Sequence, residues 1–398
     1  MTTPLRHSLA VLTGAVALAL LAACGSDNAS PSSATTAPSA TTAGGSASSD
    51  SVATLAAPDN GVTAAGISAD RCRANKDAGA ITYLSSFDFS AAASILDVVV
   101  AEQRGYFDDM CLNVTIKPSF STSNYALVAG GQAQLSSAGA YTEILNFSKS
   151  GAKFVAVTDY GKSPIEALVV PAGGNVNTLQ DLKGKTIGVK GDIPPSIVAM
   201  LSQAGLQRGR DYKEVLLDGF DPVAQLKTGI DALPVYKSNE PGQLDRAGVK
   251  YRLFDPVNYG IPGTFGLIYT TPDFLAKHPT AVQDFVRAAF KGYADAVADP
   301  AGAVALSLKE INAAGNQNYL TAEGETFRWQ QESAIVARGT APGQVPGLID
   351  PAVLIAEVDA YAKAGVYQSG TPSTDGTYDA DVANGVIANG ALVWPSGG

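Results

Sequence analysis

The residues best suited to bind a small molecule follow a short apolar segment at residues 232–235. Tyr236, Asn239 and Glu240 come directly after it. A tyrosine ring offers a flat face to a planar ligand, and a glutamate accepts hydrogen bonds from ring or exocyclic N–H groups. This pattern predicts binding of a planar nitrogen heterocycle. The alternative for Glu240 is a place in the first turn of a helix, where an acidic side chain is favoured without any ligand.

Aromatic and acidic side chains also outnumber basic ones after the other apolar segments. A sulfonate or phosphate would instead draw on arginine, lysine or bare helix N-termini. The complete set of candidate ligand-binding residues is Phe87, Asp88, Phe89, Ser137, Tyr160, Lys190, Asp218, Phe220, Tyr236, Asn239 and Glu240.

Structural alternatives remain open for several of these residues. Packing in a core is the alternative for Phe87, Phe89 and Phe220. Capping of a helix N-terminus is the alternative for Asp88, Ser90 and Asp221. Lys190 is either a solvated surface charge or the partner of an anionic group on the ligand.

Catalytic chemistry has little support in the sequence. His278 is the only histidine beyond the N-terminal apolar run, and no Gly-x-Ser-x-Gly, His-Glu-x-x-His or dinucleotide fingerprint occurs. Gly184-Lys185-Thr186 imitates the end of a phosphate loop, but Leu179 stands where that loop requires glycine. We expect no catalytic residue, no cofactor and no metal site. A secreted enzyme with Asp218 and Asp221 as acid and base is the less favoured alternative.

The elements that must position the candidate residues form two blocks of alternating strands and helices. Strands are predicted at residues 81–84, 112–116, 154–157, 165–170, 187–189, 215–217, 232–235, 251–254 and 266–269. Helices are predicted from Ser90 onward and at residues 195–203, and long amphipathic helices follow the last of these strands. This order predicts an α/β protein with two lobes, a central ligand cleft and a helical C-terminal return. The expected divisions are residues 66–175 for the first segment of lobe 1, 176–262 for lobe 2 and 263–398 for the return of lobe 1.

The N-terminal residues indicate export and lipid attachment. Residues 1–23 carry a short basic head and an apolar run that is too short to span a bilayer comfortably. Leu21-Ala22-Ala23-Cys24 ends this run like a lipoprotein signal, so we expect acyl chains on Cys24 to hold the protein at the extracytoplasmic face of the cell membrane. Residues 24–65 are rich in Ser, Thr and Ala and predict a flexible linker. An ordinary secretory signal with a chance cysteine is the alternative.

Charge and cysteine content limit the partners further. The formal net charge of -10 disfavours nucleic acid and anionic membrane surfaces, which call for basic patches. With Cys24 assigned to lipid, Cys72 and Cys111 remain as an even pair in an oxidising compartment, which predicts a disulfide. Two buried free thiols are the alternative.

Three segments of the sequence resemble one family. Gly105-Tyr106-Phe107, Asp181-Leu182-Lys183-Gly184-Lys185 and Tyr236-Lys237-Ser238-Asn239-Glu240-Pro241 are similar to segments of the substrate-binding proteins of ABC-type importers. The branch is the SsuA/THI5-like one, which handles thiamine pyrimidine precursors, riboflavin, nitrate and sulfonates. The resemblance covers residues 80–365. It implies a type II periplasmic-binding-protein fold, in which Glu240 meets ring N–H groups and Tyr236 lines the pocket.

The resemblance also implies a function. We expect a monomeric, lipid-anchored receptor that captures a thiamine pyrimidine precursor or a riboflavin-like ring and delivers it to a membrane permease. The same role for nitrate, a sulfonate or taurine is the alternative. Fungal relatives that synthesise the pyrimidine use a cysteine-rich motif and an active-site histidine. This sequence has neither, so the resemblance implies binding and not synthesis.

Overall fold

The computed structural model describes residues 61–148, 151–315 and 319–395. They belong to one compact unit, Thr54–Gly398. The predicted signal, Cys24 and nearly all of the predicted linker lie outside the described residues.

The strands of the described residues, in chain order, are β1 (Val62–Thr63), β2 (Gly66–Ile67), β3 (Ala80–Leu84), β4 (Asn113–Lys117), β5 (Leu135–Ala138), β6 (Val155–Gly161), β7 (Glu166–Pro171), β8 (Thr186–Val189), β9 (Lys213–Leu216), β10 (Leu233–Tyr236), β11 (Tyr251–Phe254), β12 (Phe265–Thr270), β13 (Ile387–Ala388) and β14 (Ala391–Leu392).

The helices are α1 (Ala69–Lys76), α2 (Leu96–Gln103), α3 (Tyr106–Asp109), α4 (Ser121–Ala129), α5 (Tyr141–Ser148), α6 (Pro195–Gln203), α7 (Pro222–Leu226), α8 (Glu240–Arg246), α9 (Pro272–Lys277), α10 (Pro279–Ala298), α11 (Pro300–Ala314), α12 (Ala322–Gly339), α13 (Pro351–Lys363) and α14 (Ala380–Asn384). Short 3-10 helices lie at Leu179–Leu182 and Pro256–Tyr259.

The first lobe is built on a five-stranded sheet with the order β4-β3-β5-β12-β6. Strand β3 is parallel to both β4 and β5, whereas β12 is antiparallel to β5 and β6. Because β12 comes from the C-terminal part of the chain and lies between β5 and β6, the return segment completes the first sheet. The predicted α/β class is confirmed.

The second lobe is built on β7, which pairs antiparallel with β10 and β11. Strand β8 is parallel to β9, and the amide of Gly188 donates to the carbonyl of Ala232 at 2.9 Å, which joins this pair to the segment before β10. Since β7 begins at Glu166, the chain passes from the first sheet to the second at residues 162–165. The sequence analysis had placed residues up to 175 in the first lobe.

Two helices of the first lobe pack unusually closely. A Cβ atom on Gly292 of α10 would stand 2.1 Å from the carbonyl oxygen of Asp97 in α2, so only glycine fits there. Apolar side chains of both helices enter the same core. The loop that precedes α2 is therefore attached to a rigid helix pair.

Helix α2 begins later than the sequence predicts. We expected a helix from Ser90, but the structure has a loop over residues 85–95, with positive φ at Asp88 (49°) and Ser94 (67°). The amides of Ala91 and Ala93 donate to Glu325 and Glu332 of α12, at 2.6 and 2.8 Å. These contacts with a distant helix replace the hydrogen bonds that a helix would have made.

Helix α1 is attached to the first lobe by a disulfide and by buried charges. Cys72 is bonded to Cys111, as the sequence analysis predicts. Beside it, Arg71 donates to both oxygens of Asp284 in α10, at 2.7 and 2.9 Å. Both side chains of this ion pair are buried.

Candidate functional site

Four aromatic side chains from both lobes meet between the two sheets. Phe87, in the loop after β3, lies 5.8 Å from Phe120, 6.4 Å from Phe220 and 6.1 Å from Tyr319, measured between ring centroids. Phe220 follows β9 in the second lobe and stacks on Tyr319 of the return segment at 5.5 Å. Aromatic rings at these separations make favourable edge-to-face and offset contacts. This aromatic group therefore joins side chains of both lobes.

Several of these rings remain open to solvent. Phe120 is 45% exposed, Phe220 is 51% exposed and Tyr236, at the end of β10, is 46% exposed. Yet burial of the Tyr236 hydroxyl by the surrounding protein is the main cause that raises its pKa. A side chain that lines a cleft combines an open face with dense surroundings.

Asp88 stabilises the loop that carries Phe87. One of its carboxylate oxygens accepts the amide of Phe89 at 2.7 Å, and the other accepts the hydroxyl of Tyr319 at 3.0 Å. Asp88 itself is buried. Its contacts therefore connect the Phe87 loop to the return segment.

Glu240 is already engaged by neighbouring groups. Its Oε1 accepts the ammonium of Lys190 at 2.5 Å, and its Oε2 accepts the amide of Tyr236 at 2.8 Å. Glu240 is the first residue of α8 and is buried. Lys190 is thus a partner of Glu240, and it remains exposed to solvent.

Arg328 of α12 connects the two lobes. Its guanidinium lies over the ring of Phe87, 5.5 Å from the centroid, and its Nη2 donates to Oδ1 of Asn239 at 3.2 Å. It also donates to Glu325 at 3.0 Å. A cation held over an aromatic face and paired with a buried carboxylate has a fixed position.

Glu332, one turn further along α12, makes a second connection. Its Oε1 accepts the hydroxyl of Ser238 at 2.9 Å. Burial, opposed by the charge of Arg328, raises the pKa of Glu332 to about 7.

A pair of glutamates lies near Tyr236. Glu143, in the first turn of α5, accepts the amide of Gly139 at 2.8 Å, and Glu166, at the start of β7, accepts the hydroxyl of Ser196 at 3.0 Å. Burial raises the pKa of each carboxyl. Burial is the main cause that raises the pKa of Tyr236, and the charges of both glutamates add to it. Glu166 is the partner of Tyr236 in the pairing of β7 with β10.

The remaining predicted residues lie elsewhere. Phe89 packs in a core with Ile95 and Val99. Tyr160 is fully buried in the first lobe, donates to Asp97 at 2.7 Å and stacks on Tyr293. Ser137 is buried in β5, and Asp218 is exposed, with its carbonyl accepting from Gln225. Asp221 caps the N-terminus of α7, which is the alternative role given for it in the sequence analysis.

The sequence analysis missed five side chains of the cleft: Phe120, Glu143, Glu166, Tyr319 and Arg328. Phe120 lies just after β4, but no candidate was taken from the segment that follows this strand. The other candidates were all residues that follow predicted strands. Glu143 lies in the first turn of the helix after β5 and Glu166 opens an apolar strand, so a search that included helix starts and strand starts would have found them. Tyr319 and Arg328 have no such local signal, because the return segment brings them to the cleft.

The cleft offers aromatic faces and carboxylates to a ligand. Among residues 61–148, 151–315 and 319–395, no group of three or more His, Cys, Asp or Glu side chains is placed to hold a metal ion. Across the same residues, no helix is both long and apolar enough to cross a membrane.

Two sheets on either side of a central cleft define the class of the periplasmic solute-binding proteins. The fold is similar to that of the periplasmic aliphatic sulphonate-binding protein SsuA from Escherichia coli, with a TM-score of 0.57 and 14% identity, over 75% of this chain and 90% of that one. It is also similar to the alkanesulfonate-binding protein SsuA from Xanthomonas axonopodis pv. citri, with a TM-score of 0.53 and 18% identity, over 74% of this chain and 94% of that one. At these identities the similarity concerns the fold.

The chain belongs to the NMT1/THI5 like family, whose model matches residues 92–303. It is 28% identical over 285 residues to the riboflavin-binding protein RibY of Chloroflexus aurantiacus, covering 67% of this chain and 76% of the relative. It is 24% identical over 236 residues to the 4-amino-5-hydroxymethyl-2-methylpyrimidine phosphate synthase of Schizosaccharomyces pombe, covering 55% of this chain and 66% of the relative. The predicted SsuA/THI5-like family is confirmed.

Proposed function

We propose that this protein captures a small planar nitrogen heterocycle between its lobes and delivers it to the permease of an ABC importer. The observation that carries the proposal is the set of open aromatic faces in a cleft that also contains carboxylates. Phe220 and Tyr236 from the second lobe and Phe120 from the first are each about half exposed. Rings of this kind stack on a planar ligand, and carboxylates accept its N–H groups.

The charges of the cleft favour this ligand class over nitrate, a sulfonate or taurine. Lys190 is paired with Glu240, and Arg328 is paired with Glu325. A cation that is already neutralised by a carboxylate offers little to an anionic ligand, and the additional carboxylates repel one. The anion receptor therefore remains the second candidate.

The proposed contact residues are those that line the open part of the cleft. Phe87, Phe220 and Tyr236 would stack on the ligand, while Asn239 would contribute its amide. Glu240 would act by holding Lys190 and the amide of Tyr236 in place, since both of its oxygens are engaged. Phe89 and Tyr160 are fully packed, so we leave them out of this set.

Names of the relatives support the choice of ligand. One is named for riboflavin binding and the other for synthesis of an aminopyrimidine phosphate. For this chain we propose binding without catalysis, because its single histidine beyond the N-terminal run, His278, lies at the start of α10, with its ring against Phe274.

Titration calorimetry of the purified protein tests this function. Riboflavin, 4-amino-5-hydroxymethyl-2-methylpyrimidine, nitrate and taurine are the ligands to compare. We expect heat of binding from a heterocycle and none from the two other ligands. Binding of nitrate or taurine alone would contradict the proposed heterocycle ligand and would still support a role as a solute receptor.

We further propose that the protein acts as a monomer at the extracytoplasmic face, anchored by lipid on Cys24. Mass spectrometry of the N-terminal peptide from the native host should find acyl chains on Cys24. Replacement of Cys24 by alanine should release the protein from the membrane fraction. Retention of the Cys24→Ala variant in that fraction would argue against the anchor.

A further inference from the structure

Helix α8 of the second lobe begins against helix α12 of the return segment. Just before α8, the hydroxyl of Ser238 donates to Oε1 of Glu332 at 2.9 Å, and Nη2 of Arg328 donates to Oδ1 of Asn239 at 3.2 Å. Ser238, Arg328 and Glu332 are buried. Hydrogen bonds in which one partner is charged are stronger than those between neutral groups, so these contacts hold the start of α8 on α12.

The middle of α8 packs on α12 through a glycine. A Cβ atom on Gly242 would stand 2.6 Å from Cδ1 of Phe327, so the aromatic ring occupies the space that a larger residue would need. Gly242 is buried, and Phe327 is half-buried. At the end of α8, Nη2 of Arg246 would lie 3.9 Å from a Cβ atom on Gly324. The two helices are therefore in contact along the whole of α8.

The order of these contacts shows how the two helices run. Along the chain, residues 238, 239, 242 and 246 meet residues 332, 328, 327 and 324 in turn. As one set of numbers rises the other falls, so the helices are antiparallel. Residues three and four positions apart lie on one face of a helix, so a single face of α12 meets α8.

Each of the two helices is fixed to its own lobe. In α12, the indole of Trp329 donates to the carbonyl of Ala296 in α10 at 3.0 Å, and Val336 lies in the core of the first lobe. In α8, Leu244 packs with Val169 of β7 in the core of the second lobe. A movement of one helix along or away from the other therefore moves one lobe relative to the other.

The same helices hold residues that border the cleft. Glu240, the first residue of α8, accepts the amide of Tyr236 at 2.8 Å, and Arg328 of α12 lies over the ring of Phe87. Tyr236 belongs to the second lobe and Phe87 to the first. The contact between α8 and α12 thus fixes the position of one of these rings relative to the other.

We propose that the α8–α12 contact is a latch that holds the two lobes in the arrangement that binds the ligand, with Gly242 and Phe327 as its positioning residues. This inference rests on the proposed function, because it concerns a ligand that contacts both lobes. A protein whose binding arrangement is only partly populated binds with an affinity that is reduced by that fraction. Residues that do not touch the ligand therefore control its affinity.

A paired substitution tests the latch. Gly242→Leu places a side chain where the Phe327 ring lies and should force the helices apart. By titration calorimetry, we expect an affinity at least about tenfold lower for the heterocycle that binds best, because fewer molecules have the binding arrangement. Gly242→Leu/Phe327→Ala makes room for the new side chain and should restore the affinity to within about threefold of that of the unaltered protein.

Gly173→Leu is the matched control in the second lobe. A Cβ atom at this exposed glycine would meet no neighbour within 4 Å, so the affinity should not change. Small-angle X-ray scattering tests the latch without a ligand. The radius of gyration of Gly242→Leu should exceed that of the unaltered protein and that of the double variant.

The outcomes separate this inference from the proposed function. An unaltered affinity or an unaltered radius in Gly242→Leu would overturn the latch, and so would a folded double variant that binds no better than Gly242→Leu. If Gly242→Leu does not fold, as circular dichroism would show, Phe327→Ala alone decides: it should lower the affinity about threefold, and full affinity would overturn the latch. Absence of heterocycle binding by the unaltered protein would contradict the proposed function, whereas the scattering comparison would still test the latch.

Discussion

The hydroxyl of Ser238 donates to Oε1 of Glu332 at 2.9 Å, while Oε2 of the same carboxylate accepts the amide of Ala93 at 2.8 Å. Ser238 follows β10 of the second lobe, whereas Ala93 belongs to the loop that carries Phe87. One side chain of the return segment therefore connects the two polypeptide segments that border the cleft.

Removal of the Ser238 hydroxyl should loosen this connection. Ser238→Ala should weaken the interaction between the lobes by about 1 kcal/mol, because the Glu332 carboxylate loses a buried hydrogen-bond donor. Small-angle X-ray scattering should then show a larger radius of gyration for the ligand-free variant. Ser333→Ala is the control, since its hydroxyl donates to carbonyls of its own helix. Equal radii for both variants would contradict the prediction.

Loss of Arg328 should destabilise the protein strongly. Arg328→Met leaves the buried carboxylates of Glu325 and Glu332 without their cation, which should lower the free energy of unfolding by about 3 kcal/mol. Urea denaturation measures the change. Arg73→Met removes an exposed ion pair with Asp70 and should cost less than about 1 kcal/mol. A similar loss in both variants would show that burial of the pair has no role.

The open ring of Phe220 should matter for affinity more than for stability. Phe220→Ala removes a half-exposed ring that stacks on Tyr319, so little core packing is lost. We expect an affinity about tenfold lower for the heterocycle that binds best, since stacking on one ring contributes roughly 1–3 kcal/mol. Leu216→Ala, at a more exposed apolar side chain of the same lobe, should leave affinity unchanged. The measurement is titration calorimetry, and full affinity in Phe220→Ala would exclude the ring from the site.

The disulfide between Cys72 and Cys111 should stabilise the first lobe. The two residues are separated by 39 positions, and closure of a loop of that size contributes about 3–4 kcal/mol in the chain-entropy description. The Cys72→Ala/Cys111→Ala protein should therefore unfold at a lower urea concentration than the oxidised protein. Addition of reductant should move the unaltered protein to the same midpoint. A midpoint that reductant does not change would argue against the bond.

Stability should fall as the pH rises towards neutrality. Burial raises the pKa of Glu357 to about 7, although the Thr142 and Thr264 hydroxyls donate to its carboxylate. A carboxyl whose pKa is raised by folding binds its proton more tightly in the folded state. The stabilisation that the folded protein gains from this tighter proton binding is complete below pH 4.5. It is lost as the pH rises through 7.

Glu357→Gln should therefore flatten the dependence of the melting temperature on pH between 5 and 8. The difference should be on the order of 2 kcal/mol of unfolding free energy over this range. Asp359→Asn, at an exposed residue of the same helix, should keep the slope of the unaltered protein. A steeper slope in Glu357→Gln would contradict the sign of the effect.

Much of the fold follows from patterns within the sequence. The apolar segment at 232–235 became β10, and the helix expected at residues 195–203 is α6 with the same bounds. Local periodicity and a proline at the helix start were sufficient there, because these elements depend on neighbouring residues.

The cleft depended on contacts that the sequence does not encode locally. The start of α2 was misplaced because Glu325 and Glu332, more than 200 positions away, accept the amides of the preceding loop. Tyr160 was chosen as a ligand contact because it follows the predicted strand at residues 154–157, but it lies within β6 and its hydroxyl donates to Asp97 in the core. The side of a sheet that a strand-end residue faces depends on the packed helices, and the local sequence does not contain that information.

The position of β12 also affects synthesis of the protein. This strand lies between β5 and β6, yet it ends at Thr270. A nascent chain that stops before this point lacks the strand that joins β6 to the rest of the first sheet, and it exposes the edge of β5. The complete five-stranded sheet of the first lobe can therefore form only after the second lobe has been synthesised.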